Sequence, residues 1–479
     1  MKLARFAPLS RFFGASLAAL ALSACAAGPD YVAPLAPPTS SGPFLSQSPA
    51  VSVAPVAADW WKLYNDPVLD GLIQDALKAN TDIRVAVAHL EKARAALSGA
   101  RSDRLPQGNL GAGATYGRVP VTQRAPGAPV EDWSVDAGLS VSYEVDLFGR
   151  VKRGVEAARG DAQAAEADAE AVRIAVIADT TRAYADAASG AARLKVANHI
   201  VQLLDQLVDL TKRRHAAGFG TQLDESRVLA LREQRAADIP ALEAQRQAAL
   251  FRLATLTGRT PAELPEIATQ RSIGLEITQA IPVGDGAALL ARRPDIRAAE
   301  RRLSADTARI GVATADLYPK ISLGGSVGST GPNIADAFGA GPLRWLLGPL
   351  ISWNLNPSAT RARINGAKAD SQAALATFDG TVLNALQETE TALSTYARAL
   401  DRRRSLLSAR NFAEQAATVA RAQQKEGAID GLQLLDTERT FADAQAALAL
   451  QDAQVSGAQI DLFKALGGGW SRSQLALAQ

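Results

Sequence analysis

The stretch that decides the fold is 134–150, SVDAGLSVSYEVDLFGR, in which polar and apolar residues alternate strictly as far as Leu147. Alternation with a period of two is typical of a β-strand with one apolar and one polar face. A second segment, 109–118, alternates less strictly, so the two segments predict a β-hairpin within about 107–147. The apolar face of the longer strand comprises Val135, Ala137, Leu139, Val141, Tyr143, Val145 and Leu147.

A long helix is predicted directly after this hairpin. No proline occurs from Arg150 to about residue 215, and Ala, Glu, Gln, Arg and Leu dominate. A helix of that length would measure about 99 Å, too long for a compact globule. After a turn at 218–221 the chain returns as a second helix over 222–257, which completes a helical hairpin at 150–257. The residues at the 3-4-3-4-3 spacing of a coiled-coil seam are Leu194, Ala197, Val201, Leu204, Val208 and Thr211.

The chain contains an internal duplication. At an offset of 213, Asp82-Ile83-Arg84 falls on Asp295-Ile296-Arg297, and at an offset of 209 Gly218 falls on Gly427. The two repeats span roughly 66–258 and 283–467. The predicted boundaries are a first repeat at 59–258, an equatorial connector at 259–282, a second repeat at 283–467 with a β-hairpin at about 320–355 and a helical hairpin at 358–466, and a tail at 468–479.

The amino terminus has the features of a bacterial lipoprotein signal. Residues 1–24 carry basic residues, then an apolar stretch, and end before Cys25 in the order Leu-Ser-Ala-Cys, which resembles a lipobox. Cys25 is the only cysteine and is the predicted lipidation site; the alternative is a buried cysteine or an ordinary signal. Ala26 after the cysteine implies outer-membrane sorting. The proline-rich segment 25–58 is predicted to be an extended tether.

The composition excludes several classes of function. One cysteine cannot make an intramolecular disulfide framework or a Cys-based zinc site, and the three histidines have no metal-ligand spacing. A net charge of +2 is too small to suggest nucleic acid as the main partner. No Walker A motif is present, and the G-x-S-x-G match at 324–328 lies within a predicted strand rather than at the strand-to-helix turn of a nucleophile elbow, so an enzyme is not expected. We expect no metal and no cofactor other than lipid on Cys25.

The number of strands predicts oligomerisation. Four amphipathic strands cannot close a barrel, because an open edge leaves unpaired backbone groups in lipid. Two copies would supply eight strands with a filled interior, and three copies would supply twelve around an aqueous lumen. The polar strand face would line that lumen, and the helical hairpins would extend into the periplasm.

Five motifs together resemble one family. They are GPDYVAP at 28–34, WWKLYNDP at 60–67, YEVDLFGR at 143–150, RPDI at 293–296 and LYPKISL at 317–323. The chain is similar to the outer-membrane factor (outer membrane efflux protein) family, and within it to the NodT-type lipoprotein branch. The resemblance implies an α+β membrane protein whose homotrimer forms a 12-stranded β-barrel continuous with a periplasmic α-helical barrel. It also implies passive transport of substrates from an inner-membrane resistance-nodulation-division (RND) transporter and a periplasmic adaptor protein.

The same resemblance implies two functional sites on the helical hairpins. Leu432, Gln433, Asp436 and Asp224 resemble the periplasmic gate, where Gln433 stands at a position that is acidic in some relatives. Without the family, each Asp would be interpreted as a solvated helix charge. The hairpin tips resemble adaptor docking sites, although each is also a plain turn that needs glycine. The tip residues are Gly218, Phe219, Gly220, Thr221, Gly427, Ala428, Ile429 and Asp430.

Two alternative functions remain open at this point. One is an outer-membrane duct for a secretion system or for another class of pump. The other is a non-conducting, structural coiled-coil lipoprotein, although such a scaffold has no need for repeated amphipathic strands.

Overall fold

The computed structural model describes residues 26–468 except 36, 119, 123, 125, 128, 332 and 336–342. The predicted signal segment 1–24, the lipidation site Cys25 and the tail beyond Gly468 lie outside the described residues. The chain divides into two compact units. The first comprises residues up to 34, 89–166 and 298–379, and the second comprises 35–88, 167–297 and residues from 380 onward.

The described residues form helices and strands in an order that repeats along the chain. The helices are α1 (Pro67–Ala79), α2 (Thr81–Ser102), α3 (Arg150–Ala216), α4 (Gln222–Ala236), α5 (Asp238–Leu256), α6 (Ile267–Gln270), α7 (Gly286–Arg292), α8 (Pro294–Ala315), α9 (Pro357–Lys425) and α10 (Gly431–Ala465). The strands are β1 (Val51–Ser52), β2 (Gln107–Arg118), β3 (Glu131–Val145), β4 (Ile281–Pro282), β5 (Lys320–Gly331) and β6 (Leu343–Ser352).

The first unit contains one antiparallel sheet with the strand order β2-β3-β5-β6 among the described residues. Gln107 lies opposite Ser142 in the first hairpin, and Lys320 lies opposite Ser352 in the second. The two hairpins are joined through β3 and β5. β2 and β6 are therefore the edge strands of the sheet.

The strand ends differ slightly from the sequence prediction. β3 begins at Glu131, three residues before the strict alternation, and ends at Val145. β6 ends at Ser352, whereas the alternation continues to Leu355. The reason is pairing, because β5 begins at Lys320 opposite Ser352 and offers no partner to later residues. The indole N–H of Trp353 instead donates to the carbonyl of Leu317 at 3.0 Å.

The second unit has an apolar core formed by the ends of the long helices and the connector. Trp60 is stacked on Phe463 with ring centroids 4.6 Å apart, and both are buried. The buried Gln459 amide accepts from the backbone N–H of Ile277 at 3.2 Å and donates to its carbonyl at 3.0 Å. These paired bonds hold the connector, because a buried strand-like segment must satisfy its backbone groups.

The segment predicted to be an extended tether also contacts this core. Phe44 is buried there, and β1 pairs in parallel with β4, with Val51 opposite Ile281. The prediction of an extended tether over 25–58 did not include this contact, in which apolar side chains bind residues 44–52 to the body.

The return helix of the first repeat is broken, and the prediction of one helix over 222–257 was wrong in this respect. α4 ends at Ala236, Ala237 is a turn, and α5 begins at Asp238. Pro240 explains the break, because proline has no N–H to donate and its ring crowds the carbonyl four residues earlier. In the first turn of α5 the missing donor costs little, since the N–H groups there have no helical partner.

None of the described helices combines enough length with enough apolar character to cross a membrane.

Candidate functional site

The first helical hairpin turns at Gly218, where α3 has just ended. Gly218 has φ +80°, a left-handed conformation that glycine adopts without strain. Its N–H donates to the carbonyl of His215 at 3.0 Å, and the N–H of Phe219 donates to that of Arg214 at 2.8 Å. Such a pair of bonds satisfies the last carbonyls of a helix in the Schellman arrangement. Glycine at 218 therefore ends α3 and reverses the chain.

The return helix begins with a capping box that includes one of the predicted gate residues. The Thr221 hydroxyl accepts from the N–H of Asp224 at 3.2 Å, and the Asp224 carboxylate accepts from the N–H of Thr221 at 3.0 Å. The hydroxyl of Thr221 also donates to this carboxylate at 2.7 Å. These bonds, the side-chain bond first, hold the pKa of Asp224 below its ordinary value. Asp224 thus stabilises the start of α4 in this chain.

The second tip repeats the first. Gly427 has φ +75°, and its N–H donates to the carbonyl of Gln424 at 3.1 Å. The N–H of Ala428 donates to the carbonyl of Gln423 at 2.8 Å. Asp430 caps α10, because its carboxylate accepts from the N–H of Gln433 at 2.8 Å. The duplication therefore extends to the hydrogen bonds of both turns.

The two tips differ in the side chain that each presents. At the first tip, Phe219 is 77% exposed and Gly220 is half-buried. At the second tip, Ala428 stands at the position of Phe219 and is exposed. Ile429, at the position of Gly220 in the second repeat, is also half-buried and packs against the apolar cluster behind the tips. The first tip therefore exposes an aromatic ring, whereas the second exposes no large apolar side chain among its described turn residues.

Three predicted gate residues lie on one face of the first turns of α10. Leu432, Gln433 and Asp436 are all exposed, whereas Leu434 and Glu438 on the opposite face are buried. A helix places residues four apart on the same side, so Leu432 and Asp436 are neighbours. Gln433 also lines a groove of about 470 Å³ with residues of α9.

Among the described residues, no hydrogen bond or ion pair joins Asp224 to Leu432, Gln433 or Asp436. The Asp224 carboxylate is occupied by Thr221, as described above. The Asp436 carboxylate forms no hydrogen bond or ion pair with any residue in the described part of the chain. Asp436 is therefore the gate candidate whose charge is available to a partner.

A charged pair that the sequence did not indicate connects the two helices of the second hairpin. The Arg421 guanidinium binds both carboxylate oxygens of Glu438, and the Nη2–Oε2 distance is 2.7 Å. The Glu438 side chain is only 10% exposed, and Arg421 also lies over the ring of Phe441 at 5.9 Å. The sequence does show opposite charges before and after the Gly427 turn. Which of them meet depends on the side of each helix on which they lie, and the sequence alone does not give that.

An apolar cluster of both hairpins lies behind the tips. The predicted coiled-coil positions Leu204 and Val208 of α3 belong to it, but so do Ile200 and Leu207, which the seam did not include. The apolar surface of α3 is wider than the seam of a two-helix coiled coil, because α3 contacts both its own return helix and α10. The cluster also contains Val228 and Leu231 of α4, Ala420 of α9, and Leu434 and Ala442 of α10.

The residues that follow Cys25 are held at the junction of β3 and α3. The N–H of Ala27 donates to the carbonyl of Phe148 at 2.9 Å. Gly149 has φ +77°, and a Cβ there would lie 2.8 Å from the Cβ of Ala26. Only glycine therefore allows the amino-terminal segment to approach so closely.

Arg153 fixes the same segment by charge. Its guanidinium is nearly buried and binds the Asp30 carboxylate at 2.6 Å and Glu156 at 2.8 Å. Hydrogen bonding to Arg153 holds the pKa of Asp30 below its ordinary value. In addition, the Tyr31 hydroxyl donates to Glu300 at 3.0 Å. The position next to the predicted lipid site is thus well defined.

Among the described residues no group of three or more His, Cys, Asp or Glu side chains is arranged to hold a metal ion.

Comparison with known proteins gives consistent results over almost the whole chain. A family model described as outer membrane efflux protein matches residues 72–259 and 287–468, so each match falls on one repeat. The outer membrane protein OprJ of Pseudomonas aeruginosa is 32% identical over 469 residues, which is 96% of this chain and 97% of that protein. Nodulation protein T of Rhizobium leguminosarum bv. trifolii is 30% identical over 94% of this chain and 96% of that protein.

A solved structure is also similar over almost the whole chain. The outer-membrane channel OprN is 37% identical and superposes with a TM-score of 0.86, covering 93% of this chain and all of that chain. A solved structure therefore contains counterparts of the long helices and the four-stranded sheet, in the same order.

Proposed function

Because the chain belongs to the outer membrane efflux protein family, we propose that it is the outer-membrane channel of a tripartite efflux pump. In this function it is a passive duct rather than an enzyme. An inner-membrane RND transporter supplies the energy, and a periplasmic adaptor protein connects that transporter to the duct. The observation that carries the proposal is the match of both repeats to the family, together with the likeness to OprN over 93% of the chain.

The sheet supports a homotrimer that closes into a barrel of twelve strands. Four paired strands with two free edges cannot cross lipid alone, because every backbone group in a membrane must be paired within protein. Three copies give twelve strands, enough to surround water. The long helices of each copy would then extend the duct into the periplasm.

The exposed face of α10 supports a gate at the periplasmic end. Three copies of Asp436 around one axis would bring three carboxylates together, and a cation bound among them would hold the closed state. Leu432, one turn earlier, would provide an apolar ring beside the acidic one. The side chain of Gln433 would line the same constriction without charge.

The two tips support adaptor docking. Both present exposed, glycine-centred turns, and the first adds the exposed Phe219. Phe219 would bury its ring in an apolar pocket of the adaptor, while the capped starts of α4 and α10 keep the turns rigid.

Acylation of Cys25 would anchor the protein at a fixed point of the outer membrane. Ala26 lies against Gly149, between β3 and α3, so lipid on the preceding residue would enter the membrane near the sheet. Several acyl chains give stable anchoring, since each buried CH₂ contributes about 0.8 kcal/mol. No further cofactor is required.

The function is tested by conductance and by transport. The purified protein in planar bilayers should form ion-conducting channels, and deletion of the gene should sensitise its host to the compounds exported by the cognate pump. A protein that conducts neither as isolated nor after Asp436→Ala, and whose deletion changes no sensitivity, would refute the duct.

The lipid anchor is tested separately with Cys25→Ser. This variant should lose labelled palmitate but retain trimers, because the barrel itself spans the membrane. Ser23→Ala in the same signal segment serves as the matched control and should keep the label. Palmitate that remains on Cys25→Ser would show that the attachment site is elsewhere.

A further inference from the structure

We propose that a groove between α3, α5 and α10 binds an amphipathic organic anion. The apolar body of the ligand would lie against aliphatic side chains, and its carboxylate would bind the guanidinium of Arg193. The groove is formed within one copy of the chain, so the inference goes beyond the proposed duct and does not depend on it.

The groove lies beside the break in the first return helix. Its volume is about 390 Å³, within the range of roughly 300–1,000 Å³ for small-molecule sites. Residues of α3 and α10 form two walls, and Arg235 near the end of α4 and the first turns of α5 form the third. All of these residues belong to the second unit. The groove is thus a feature of one compact unit.

Two differences between the repeats leave space in this part of the molecule. Pro240, which lies in the first turn of α5, has Ala449 of α10 as its repeat equivalent at an offset of 209. α10 is unbroken from Gly431 to Ala465, and Ala449 lines the groove together with Ala446. One wall is therefore interrupted at the proline, and the wall formed by α10 carries only short side chains at these positions.

The lining is mostly apolar. Ile200 and Leu242 are buried, whereas Leu450 is 40% exposed. Burial of a hydrocarbon body against such a partly open surface is favourable, because both apolar surfaces leave water. The aliphatic residues that would contact this body are Val196, Ala197, Ile200, Leu242, Ala446 and Leu450.

Among the described residues, Arg193 brings a positive charge into the groove without a counter-charge. Its Nη1 donates to the neutral side-chain oxygen of Gln245 at 3.2 Å, and it forms no ion pair with any described residue. Burial lowers the pKa of Arg193, and no nearby carboxylate raises it. A guanidinium offers more donors than this one bond uses, and its planar fork matches a carboxylate. An anionic ligand would therefore complete the hydrogen bonding of Arg193.

The second guanidinium of the groove has its charge balanced. Arg235 binds Asp443 and lies 4.0 Å from Asp238. Its Nε is buried and has no hydrogen-bond partner in the described part of the chain, so a ligand oxygen near this atom would satisfy it. The charges therefore favour an anion, since Arg193 would repel a cation and would stay unpaired beside a neutral ligand.

The site is tested by photolabelling of the full-length lipoprotein in outer membranes. The probe is 4-benzoylbenzoate, whose benzophenone body is apolar and whose carboxylate is anionic, and mass spectrometry maps the labelled residues. The matched probes are 4-benzoylbenzyl alcohol, which is neutral, and 4-benzoylbenzylamine, which is cationic. Arg193→Gln removes the charge, and Lys195→Gln is the matched control, because Lys195 is exposed on α3 and does not line the groove. Ala446→Phe fills the groove and leaves Arg193 in place.

We expect 4-benzoylbenzoate to label groove residues of α3, α5 or α10 saturably, and more strongly than either matched probe does. Arg193→Gln should lower this labelling about tenfold, as expected for the loss of a charge-assisted hydrogen bond. Ala446→Phe should lower it as well, whereas Lys195→Gln should label like the parent. Equal labelling by the cationic probe, or a signal that Arg193→Gln leaves unchanged, would overturn the site.

The outcome is separable from folding and from the proposed function. Native electrophoresis shows whether each variant assembles like the parent, and if one does not, the other variant and the three probes on the parent decide. A parent that conducts in planar bilayers but takes no label in the groove would refute the site and leave the duct standing. A labelled parent that does not conduct would retain the site and count against the duct.

Discussion

Asn80 and Arg293 occupy the same position in the two repeats, and each donates a hydrogen bond to the equivalent carbonyl at the end of a return helix. The amide of Asn80 donates to Leu256 at 3.0 Å, and the guanidinium of Arg293 donates to Ala465 at 2.9 Å. Leu256 and Ala465 are 209 residues apart, as the duplication requires. The repeats have thus kept the same contact while changing the residue that makes it.

Loss of this contact should destabilise the second unit. Asn80 is buried and also caps α2 by accepting from the N–H groups of Asp82 and Ile83. We expect Asn80→Ala to lower the free energy of unfolding by about 2 kcal/mol, because a cap and a buried bond are lost together. Denaturant unfolding of the purified protein measures it. Asn384→Ala, on an exposed position of α9, should change stability by less than about 0.5 kcal/mol, and equal effects would contradict the prediction.

The Arg421–Glu438 pair should hold the second hairpin together near its tip. Arg421→Ala and Glu438→Ala, analysed with the double variant, should give a coupling free energy of about 1–3 kcal/mol, since the bond is bidentate and Glu438 is largely buried. Hydrogen exchange at the ends of α9 and α10 should accelerate in each variant. Arg439→Ala, one residue further and exposed, should leave exchange unchanged. A coupling near zero would mean that the pair contributes no more than a surface contact.

The start of α4 should fray in acid. The pKa of Asp224 lies below its ordinary value of 3.8, because Thr221 bonds to the charged form. The folded state therefore binds this proton less readily than the unfolded state. The stabilising effect is complete above the ordinary value and is lost as the pH falls through the depressed one.

Exchange of the α4 amides as a function of pH checks this sign. Protection should fall in the wild type below the ordinary carboxyl pKa, and Asp224→Asn should remove the pH dependence while Thr221→Ala weakens the cap at every pH. Amides in the middle of α5, away from both capped starts, provide an internal reference in the same molecule. A wild-type profile that is flat in acid would show that Asp224 does not carry the cap.

Removal of the free carboxylate on α10 should alter the gate. Asp436→Ala is expected to raise single-channel conductance and sensitivity of the host to vancomycin, because the proposed ring of carboxylates, which would hold the closed state through a bound cation, would be lost. Asp379→Ala on α9, also an exposed Asp, is the matched control and should behave as wild type. If both variants conduct like the parent, Asp436 is an ordinary solvated charge.

The spacing of apolar residues and the positions of turn glycines predicted most of the secondary structure. The alternation around Leu139 identified β3, and the glycines at 218 and 427 identified both turns, because these signals are local. The break at Pro240 was equally local and was overlooked within an alanine-rich run. The pairing of Glu438 with Arg421 and the attachment of Ala27 to Phe148 depend on which distant segments meet. Composition and residue spacing do not predict those contacts.

The registers of the sheet also set the inclination of the strands. Gln107 lies opposite Ser142, and Ser142 lies opposite Gly324, whereas the repeat equivalent of Gln107 is Lys320. Crossing two strand spacings of the sheet, about 10 Å, therefore shifts the equivalent position by four residues, about 14 Å along the strands. A ring built on this stagger has strands inclined by about 55° to its axis, more than the 35–45° common in barrels. In the proposed barrel, twelve strands so inclined would enclose a wider bore than twelve upright ones, and that bore would admit bulkier cargo.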